Sequence, residues 1–430
     1  MANWKWIAGG VVVVAAVAVG GWVWTTVDTS RNAGADDQIA LADFVSDDTD
    51  AIARGEYVMR SADCAACHTQ GQGDFAGGYE IGTPFGTLVS SNITPDRDTG
   101  IGAMTERDFF DAVRQGQGSK GMLYPAMPYT AYAKLTDQDM HDLWAYMSTL
   151  DPVSNAIDEN AGMGFPYNQR IAMLGWNMLF FDNSGFKGDA GGADRGRYLV
   201  DAGGHCSSCH TPRNALGAEI SDNYLQGARV DGWYAPEITS NPHQGLGQVS
   251  VDDIAAYLGT GTDGHAMASG PMADAVEHSL QYLRPDDLTA MAQYMKSVPG
   301  SGVTTPAPMD LTATRGALAY EVNCAACHGV SGEGMGLLVP AFADNHAVLS
   351  DDATNLARVM LLGARAAHTQ AAPTGGGMPS FAWKMDDAQI ADVLDYIRNS
   401  WGNAARPVDP ALVTQMRSSL DARNKITAGE

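Results

Sequence analysis

The sequence predicts a mainly α-helical protein in which one structural plan is used three times in tandem. Three stretches of the form Cys-x-x-Cys-His begin at positions 64, 206 and 324. Each follows a short helical segment with Arg-Gly and a tyrosine, at Arg54, Arg195 and Arg315. Each precedes a closing helix with an acidic start and an apolar stripe, at 137–150, 286–298 and 386–401. This recurrence indicates tandem domains of one kind.

The paired cysteines and the histidine form the attachment pattern of c-type haem. Two thiols one helical turn apart can each add to a haem vinyl group, and the next residue can bind iron. Zinc sites, thioredoxin-like redox pairs and disulfides also use Cys-x-x-Cys, but none requires the histidine. The motifs consume all 6 cysteines. We therefore predict three covalent haem c groups, with attachment at Cys64, Cys67, Cys206, Cys209, Cys324 and Cys327 and with proximal ligands His68, His210 and His328.

A six-coordinate haem needs a second axial ligand, and a thioether sulfur in that position raises the potential of the iron. Such ligands should fall late in each domain, before the closing helix. The candidates, each beside a proline, are Met127, Met272 and Met378. The chain has 20 Met, most of which must fill apolar gaps. The nearby alternatives are Met122, Met267 and Met385.

Histidines outside the motifs could replace methionine as distal ligands, although single histidines are usually surface or core residues. They are His141, His205, His243, His265, His278, His346 and His368. His205 is an especially poor distal candidate, because it adjoins Cys206 and is constrained by haem attachment.

The strongly acidic composition excludes one class of partner. The formal net charge is -24. Such a surface repels a phosphate backbone, so we expect no binding to nucleic acid.

The start of the chain is apolar. From Trp6 to Val27 there are 22 residues without a charge, with tryptophans near both ends. A helix of this length crosses a bilayer, and tryptophan favours the headgroup region. A cleaved signal peptide is the competing interpretation, with Ala16-Val17-Ala18 as a possible cleavage site. Both interpretations place the later domains outside the cytoplasm.

Longer strings then become recognisable. They are AMPY at 126–129, HTPRNALGAE at 210–219, DGWYAPEIT at 231–239, SGPM at 269–272, PTGGGMPSFAWK and RNSWGNAA. Together they resemble the triple-haem cytochrome c subunit of membrane-bound bacterial dehydrogenases that oxidise alcohols, aldehydes, gluconate, sorbitol or fructose. The resemblance implies a catalytic partner subunit with flavin, quinone or molybdenum cofactor, and electron delivery to ubiquinone or another acceptor. It also assigns the distal positions to Met127, Met272 and Met378.

The predicted fold is therefore mainly α, with three class I cytochrome c domains in tandem and an N-terminal membrane helix. The predicted division is an anchor or signal at 1–28, a linker at 29–50, domains at 51–155, 191–300 and 301–405, a connector at 156–190 and a tail at 406–430. The expected function is respiratory electron transfer by a non-catalytic subunit at the cell membrane, with its haem domains facing the periplasm. A haem enzyme such as a peroxidase, a free shuttle and an oxidase subunit are the alternatives.

Overall fold

The computed structural model describes Asn32, residues 34–312 and residues 314–428. The chain divides into two compact units. The first comprises Met1–Val58 and Cys67–Lys187, and the second comprises Met59–Ala66 and Gly188–Glu430. The division falls inside the first Cys-x-x-Cys-His motif, whereas the second unit contains the other two motifs completely. The domain boundaries expected from the sequence stay a prediction.

The expectation of an N-terminal membrane helix needs correction. In the described part of the chain, no helix combines the length and the apolar composition needed to cross a bilayer. The uncharged run from Trp6 to Val27, on which the expectation rested, lies outside the described residues. The supported fold class is mainly α-helical.

The first repeat combines helices with short antiparallel strands. Its helices are α1 (Thr49–Ser61), α2 (Cys64–His68), α3 (Glu106–Gln115), α4 (Tyr129–Tyr132), α5 (Asp137–Met147) and, in the connector, α6 (Ala172–Phe180). Its strands are β1 (Glu80–Thr83), β2 (Gly86–Val89), β3 (Gln117–Gly118), β4 (Gly121–Met122) and β5 (Gly162–Met163). One sheet has the order β1-β2-β5, and β3 pairs with β4. The closing helix expected over 137–150 is confirmed as α5.

In the second and third repeats, an opening helix, a motif helix, a middle helix and a closing helix follow one another in the same order as in the first. The second contains α7 (Arg195–Tyr198), α8 (Ser207–His210), β6 (Ala228–Val230), β7 (Trp233–Ala235), α9 (Val251–Thr260), α10 (Pro271–His278) and α11 (Pro285–Ser297). The third contains α12 (Arg315–Asn323), α13 (Ala325–His328), α14 (His346–Leu349), α15 (Thr354–Leu362), β8 (Ala364–Arg365), β9 (Gly377–Met378), α16 (Asp387–Arg398) and α17 (Pro410–Ala428). The closing helices expected in these repeats are confirmed as α11 and α16.

Local sequence explains where several of these helices begin and end. Thr105 caps α3 in a reciprocal capping box with Asp108, so two backbone donors of the first turn are satisfied. Ser250 caps α9 by accepting from the backbone of Asp253. Helix α3 ends at Gly116, whose φ of 65° is a conformation that glycine adopts without strain.

In every repeat the opening helix crosses the closing helix at a glycine, with the backbones nearly in contact. A Cβ atom at this glycine would lie about 2 Å from a carbonyl oxygen of the closing helix, so only glycine fits. The separations are 1.9 Å for Gly55 and Asp142, 2.0 Å for Gly196 and Ala290, and 2.0 Å for Gly316 and Asp392. Each Arg-Gly segment therefore places its opening helix close against the closing helix.

The arginine before each glycine pairs with an aspartate of the closing helix. The N–O distances are 2.8 Å for Arg54 and Asp142, 2.9 Å for Arg195 and Asp287, and 3.1 Å for Arg315 and Asp392. The first two pairs are two-pronged, which fixes orientation as well as distance. These ion pairs therefore set the rotation of one helix against the other.

Two segments outside the repeats pack onto them. Leu41, in the predicted linker, is 1% exposed, and its backbone N–H donates to the carbonyl of Met104 at 2.8 Å. In the tail, Val413 of α17 lies in the core of the third repeat, and Arg417 pairs with Asp387 at 2.7 Å. Both segments are therefore part of the folded structure.

The second and third repeats share one unit through polar contacts between their loops. Arg229 pairs with Asp352 at 2.8 Å. The backbone N–H of Tyr234 donates to the side-chain oxygen of Asn355 at 2.8 Å, and the Asn355 amide donates back to the Tyr234 carbonyl at 2.7 Å. The guanidinium of Arg358 lies 4.7 Å from the centre of the Trp233 ring. These paired contacts fix the orientation of the two repeats within the unit.

Candidate haem-binding sites

Each Cys-x-x-Cys-His motif forms a short helical turn. In the second and third motifs the histidine backbone N–H donates to the carbonyl of the first cysteine at 2.9 Å, in the i to i−4 pattern of an α-helix. All six cysteines are free of disulfides. The two thiols of each motif therefore lie one turn apart, as double attachment to one haem requires.

Each motif histidine has its Nδ1 atom against a backbone carbonyl. The distances are 2.7 Å from His68 to the carbonyl of Ser91, 2.6 Å from His210 to that of Pro236, and 3.4 Å from His328 to that of Pro340. A neutral imidazole that donates from Nδ1 keeps the Nε2 lone pair for a metal. The carbonyl also orients the ring and increases its basicity as a ligand.

Burial keeps these imidazoles in the form that iron binds. Burial lowers the pKa of His68, His210 and His328, while the carbonyl contact opposes part of this shift. The rings are therefore neutral near pH 7. Burial also raises the pKa of the Cys206 thiol to about 12 and that of Cys324 to about 11. Paired neutral thiols beside a neutral, oriented imidazole fit covalent haem c.

A glycine completes each site, and sequence reasoning missed it. Its backbone N–H donates to the carbonyl of the motif histidine, from Gly77 to His68 at 2.7 Å, from Gly227 to His210 at 2.7 Å and from Gly334 to His328 at 2.9 Å. All three glycines have positive φ. A Cβ at Gly77 would lie 2.5 Å from the Ser91 carbonyl oxygen that faces His68. The absence of a side chain therefore lets the Nδ1 acceptor approach.

The carbonyl acceptors were also missed, although the sequence contained a signal for two of them. Ser91 and Pro236 each directly precede one of two related loops, Asn92-Ile93-Thr94-Pro95 and Glu237-Ile238-Thr239-Ser240. Asn92 and Glu237 are 3% and 1% exposed. The buried polar side chain fixes the loop and hence the carbonyl before it. The glycines carry no such signal, because their spacing from the histidine differs in every repeat.

The candidate distal methionines follow the middle helices α3, α9 and α15. Each of these middle helices ends at a glycine. The residue after that glycine pairs with a methionine, across an antiparallel bridge or ladder. The pairs are Gln117 with Met122, Thr262 with Met267, and Ala364 with Met378. By backbone position, the equivalent methionines are therefore Met122, Met267 and Met378.

The predicted ligands Met127 and Met272 come five residues after these ladder positions. Met127 lies in the turn before α4, and Met272 is the second residue of α10. Met127, Met272 and Met378 are all partly buried. A proline follows each of Met127 and Met378, but only Met378 occupies the ladder position. The ligand assignment stays a prediction. The neighbouring proline and the ladder position select the same methionine only in the third repeat, where both select Met378.

The third repeat brings two predicted site residues into one core. Met378 packs against a cluster of buried residues that includes Cys324 and Tyr320. Met385, an alternative ligand, is itself a buried member of this cluster at 6% exposure. The ring of His328 stacks on Phe342, with centroids 4.3 Å apart.

Known proteins resemble this chain in sequence over most of its length. Residues 193–299 and 313–401 match the family described as cytochrome c, and residues 50–147 match cytochrome C oxidase, cbb3-type, subunit III. The gluconate 2-dehydrogenase cytochrome c subunit of Pantoea cypripedii is 40% identical over 394 residues, 85% of this chain and 89% of the relative. This chain belongs to the cytochrome c subunits of dehydrogenases. It is a haem-bearing electron-transfer subunit with covalently bound haem c.

Other relatives of this cytochrome c subunit differ in the dehydrogenase that they serve. The cytochrome c subunit of alcohol dehydrogenase (quinone) from Gluconobacter oxydans (strain 621H) is 40% identical over 380 residues, 82% of this chain and 79% of the relative. The fructose dehydrogenase cytochrome subunit of Gluconobacter japonicus is 38% identical over 402 residues, 85% of this chain and 82% of the relative. These names do not favour the peroxidase interpretation.

The glycine at each site gives a direct test. We expect Gly77→Ala to push the Ser91 carbonyl away from His68, because the new Cβ meets that carbonyl and φ is +75°. The unfolding free energy should fall by about 1–3 kcal/mol, and one haem potential should rise, because the ligand loses basicity. Denaturant unfolding and a spectroelectrochemical titration measure both effects. Gly175→Ala in α6, with no atom within 4 Å of its Cβ, is the control; equal behaviour of the two variants would contradict the assigned role.

Proposed function

We propose that this cytochrome c subunit carries three haem c groups and relays electrons from a catalytic dehydrogenase subunit to ubiquinone or another respiratory acceptor. One observation carries the proposal. Each repeat contains two thiols one turn apart and an imidazole with its Nδ1 against a carbonyl. The relatives support a dehydrogenase partner, because they are cytochrome subunits of gluconate, alcohol and fructose dehydrogenases. The partner would hold flavin, quinone or molybdenum cofactor.

The residues of the chain hold the haem and set its environment. The cysteine pairs attach it, and Nε2 of His68, His210 or His328 binds its iron, which supplies reversible one-electron chemistry. The glycine and the carbonyl hold the imidazole in one orientation. Ligands held rigidly by the chain would keep structural change small during electron transfer.

We assign the distal positions to Met127, Met272 and Met378. The first and third precede a proline, and the N-caps Thr136 and Asp386 of the closing helices follow nine and eight residues later. Met272 occupies the loop-to-helix junction at the start of α10. Thioether ligation would give potentials suited to accepting electrons from a dehydrogenase.

We place the haem domains on the periplasmic side of the cell membrane. Haem attachment to this motif takes place outside the cytoplasm in bacteria, and ubiquinone is dissolved in the bilayer. A location at the membrane surface would put the subunit in reach of both its donor and this acceptor. The division into haem domains at 51–155, 191–300 and 301–405 belongs to the same proposal.

The number of haems can be counted. The unaltered protein should bind three haems per chain, and alanine at both cysteines of any one motif should reduce the number to two. Intact mass and the pyridine haemochrome spectrum of the purified chain measure this ratio. The control variant changes Ser207 and Ser208 to alanine. It retains both cysteines and the histidine of the second motif, so it should still bind three haems per chain. Two haems in the unaltered protein would contradict the proposal.

The distal assignment is tested by comparing neighbouring methionines. Met127→Ala, Met272→Ala and Met378→Ala should each lower one haem potential or open one haem to carbon monoxide, because the iron loses its thioether. Met122→Ala and Met267→Ala, at the ladder positions, are the matched controls and should change neither property. Redox titration and carbon monoxide difference spectra measure the outcome. If the ladder variants show the change instead, the ligands of the first two haems are Met122 and Met267.

The partner is tested by purification from native membranes in mild detergent. We expect a large dehydrogenase subunit to copurify, and its substrate to reduce the haems of the complex. Mass spectrometry identifies the partner, and its cofactor indicates the substrate class. A chain that purifies alone with all its haems, and that no dehydrogenase substrate reduces in the membrane fraction, would refute the relay function.

A further inference from the structure

The segment that leads to Cys64 packs on the second repeat. Met59–Ala66 groups with residues 188–430 as one compact unit. The guanidinium of Arg60 lies 4.2 Å from the centre of the Tyr282 ring. A Cβ at Gly203 would lie 2.9 Å from the side-chain Oγ of Ser61 and 3.4 Å from its backbone carbonyl oxygen, so Ser61 packs directly on Gly203. The residues just before Cys64 therefore pack against the second repeat, next to the residues just before Cys206.

His205 links the residues before Cys64 directly to the residues before Cys206. It immediately precedes Cys206, and its imidazole is in hydrogen-bonding reach of the backbone carbonyl of Ala62 as well as of its own carbonyl. Its φ of +36° is unusual for a residue with a side chain. Burial lowers the pKa of His205 to about 4, so the ring is neutral and has one N–H to donate. This N–H can donate to the carbonyl of Ala62.

The electrostatics of the neighbouring residues agree with this proximity. Burial raises the pKa of the Cys209 thiol, and the carboxylate of Asp63 adds to that effect. Burial likewise raises the pKa of Asp63, and Asp274 in the second repeat raises it further. Asp63, which directly precedes Cys64, therefore lies near Cys209 of the second motif and near Asp274 of the second repeat.

We propose that His205 is a positioning residue for electron transfer between the haem attached at Cys64 and the haem attached at Cys206. The path runs from Cys64 through Asp63 to Ala62, across one hydrogen bond to His205, and on to Cys206. One electron leaves the ferrous iron of one haem, which becomes ferric, and reduces the ferric iron of the other. No covalent bond changes and no proton is transferred. This inference rests on the proposed function, because it requires haem at both motifs.

Two substitutions of similar size separate the hydrogen bond from the bulk of the ring. His205→Phe keeps an aromatic ring but has no donor, whereas His205→Gln keeps a side-chain N–H. Pulse radiolysis of the haem-loaded full chain follows the redistribution of an injected electron among the haems. We expect His205→Phe to slow the exchange between the first two haems by about tenfold, the lower end of the effects of outer-shell partners at metal sites. His205→Gln should retain a rate near that of the unaltered protein.

The haem count, the absorption spectra and the individual potentials are measured first on every variant. They separate the failure of a variant to bind its haems from a change in transfer rate, whereas fewer than three haems in the unaltered chain would contradict the proposed function. His265→Ala, an exposed histidine of the second repeat, is the control and should leave the rate unchanged. An unaltered exchange rate in His205→Phe overturns the proposal.

A second variant covers the case in which His205→Phe does not bind its full haem complement. Tyr282→Leu removes the ring under Arg60 and so loosens the same segment without altering either motif. This variant should slow electron exchange between the first two haems, while electron exchange that involves the third haem stays unchanged. Unchanged exchange between the first two haems in Tyr282→Leu would overturn the proposal equally.

Discussion

The close crossing of the opening and closing helices is the interaction on which each haem site depends. The opening helix leads into the motif, so its position determines where the two thiols and the histidine begin. That position is set by a glycine of the opening helix. A Cβ atom added to this glycine would lie about 2 Å from a carbonyl oxygen of the closing helix. The adjacent arginine fixes the rotation of the helix by pairing with an aspartate of the closing helix. A side chain at the glycine would force the helices apart and displace the motif.

The second constraint acts on the histidine itself. In each repeat a glycine N–H holds the histidine carbonyl, and at Gly77 the missing Cβ also admits the Ser91 carbonyl that faces Nδ1 of His68. Both ends of the residue are thus fixed by backbone groups. The third site is looser, because His328 is 3.4 Å from its acceptor whereas the other two distances are 2.7 and 2.6 Å. Since this contact affects ligand basicity, haems bound at the three proposed sites would differ in potential.

Much of the helical order could be predicted because its signals are local. Acidic first turns and apolar periodicity occur within each closing helix, and the closing helices at 137, 286 and 386 were found from these signals within a few residues. The packed segment around Leu41 could not be predicted, because its sequence is acidic and small-residue rich and lacks apolar periodicity. The ion pairs at Asp142, Asp287 and Asp392 were missed for a related reason: each aspartate also fits a solvated helix face.

The distal methionines mark the boundary between sequence and structure most clearly. Sequence context favours Met127 through its proline, whereas the antiparallel register makes Met122 the counterpart of Met378. Sequence alone could not reveal this conflict, because the loops between ladder and closing helix differ in length among the repeats.

The sequence by itself determined the attachment chemistry and the family, because both depend on residues that are neighbours along the chain. Two cysteines and a histidine within five positions specify the covalent site regardless of the rest of the fold. Only the tertiary structure decided which carbonyl faces each histidine, which glycine admits it and that His205 faces Ala62. These partners are separated along the chain by loops of different length, so their pairing depends on how the helices pack.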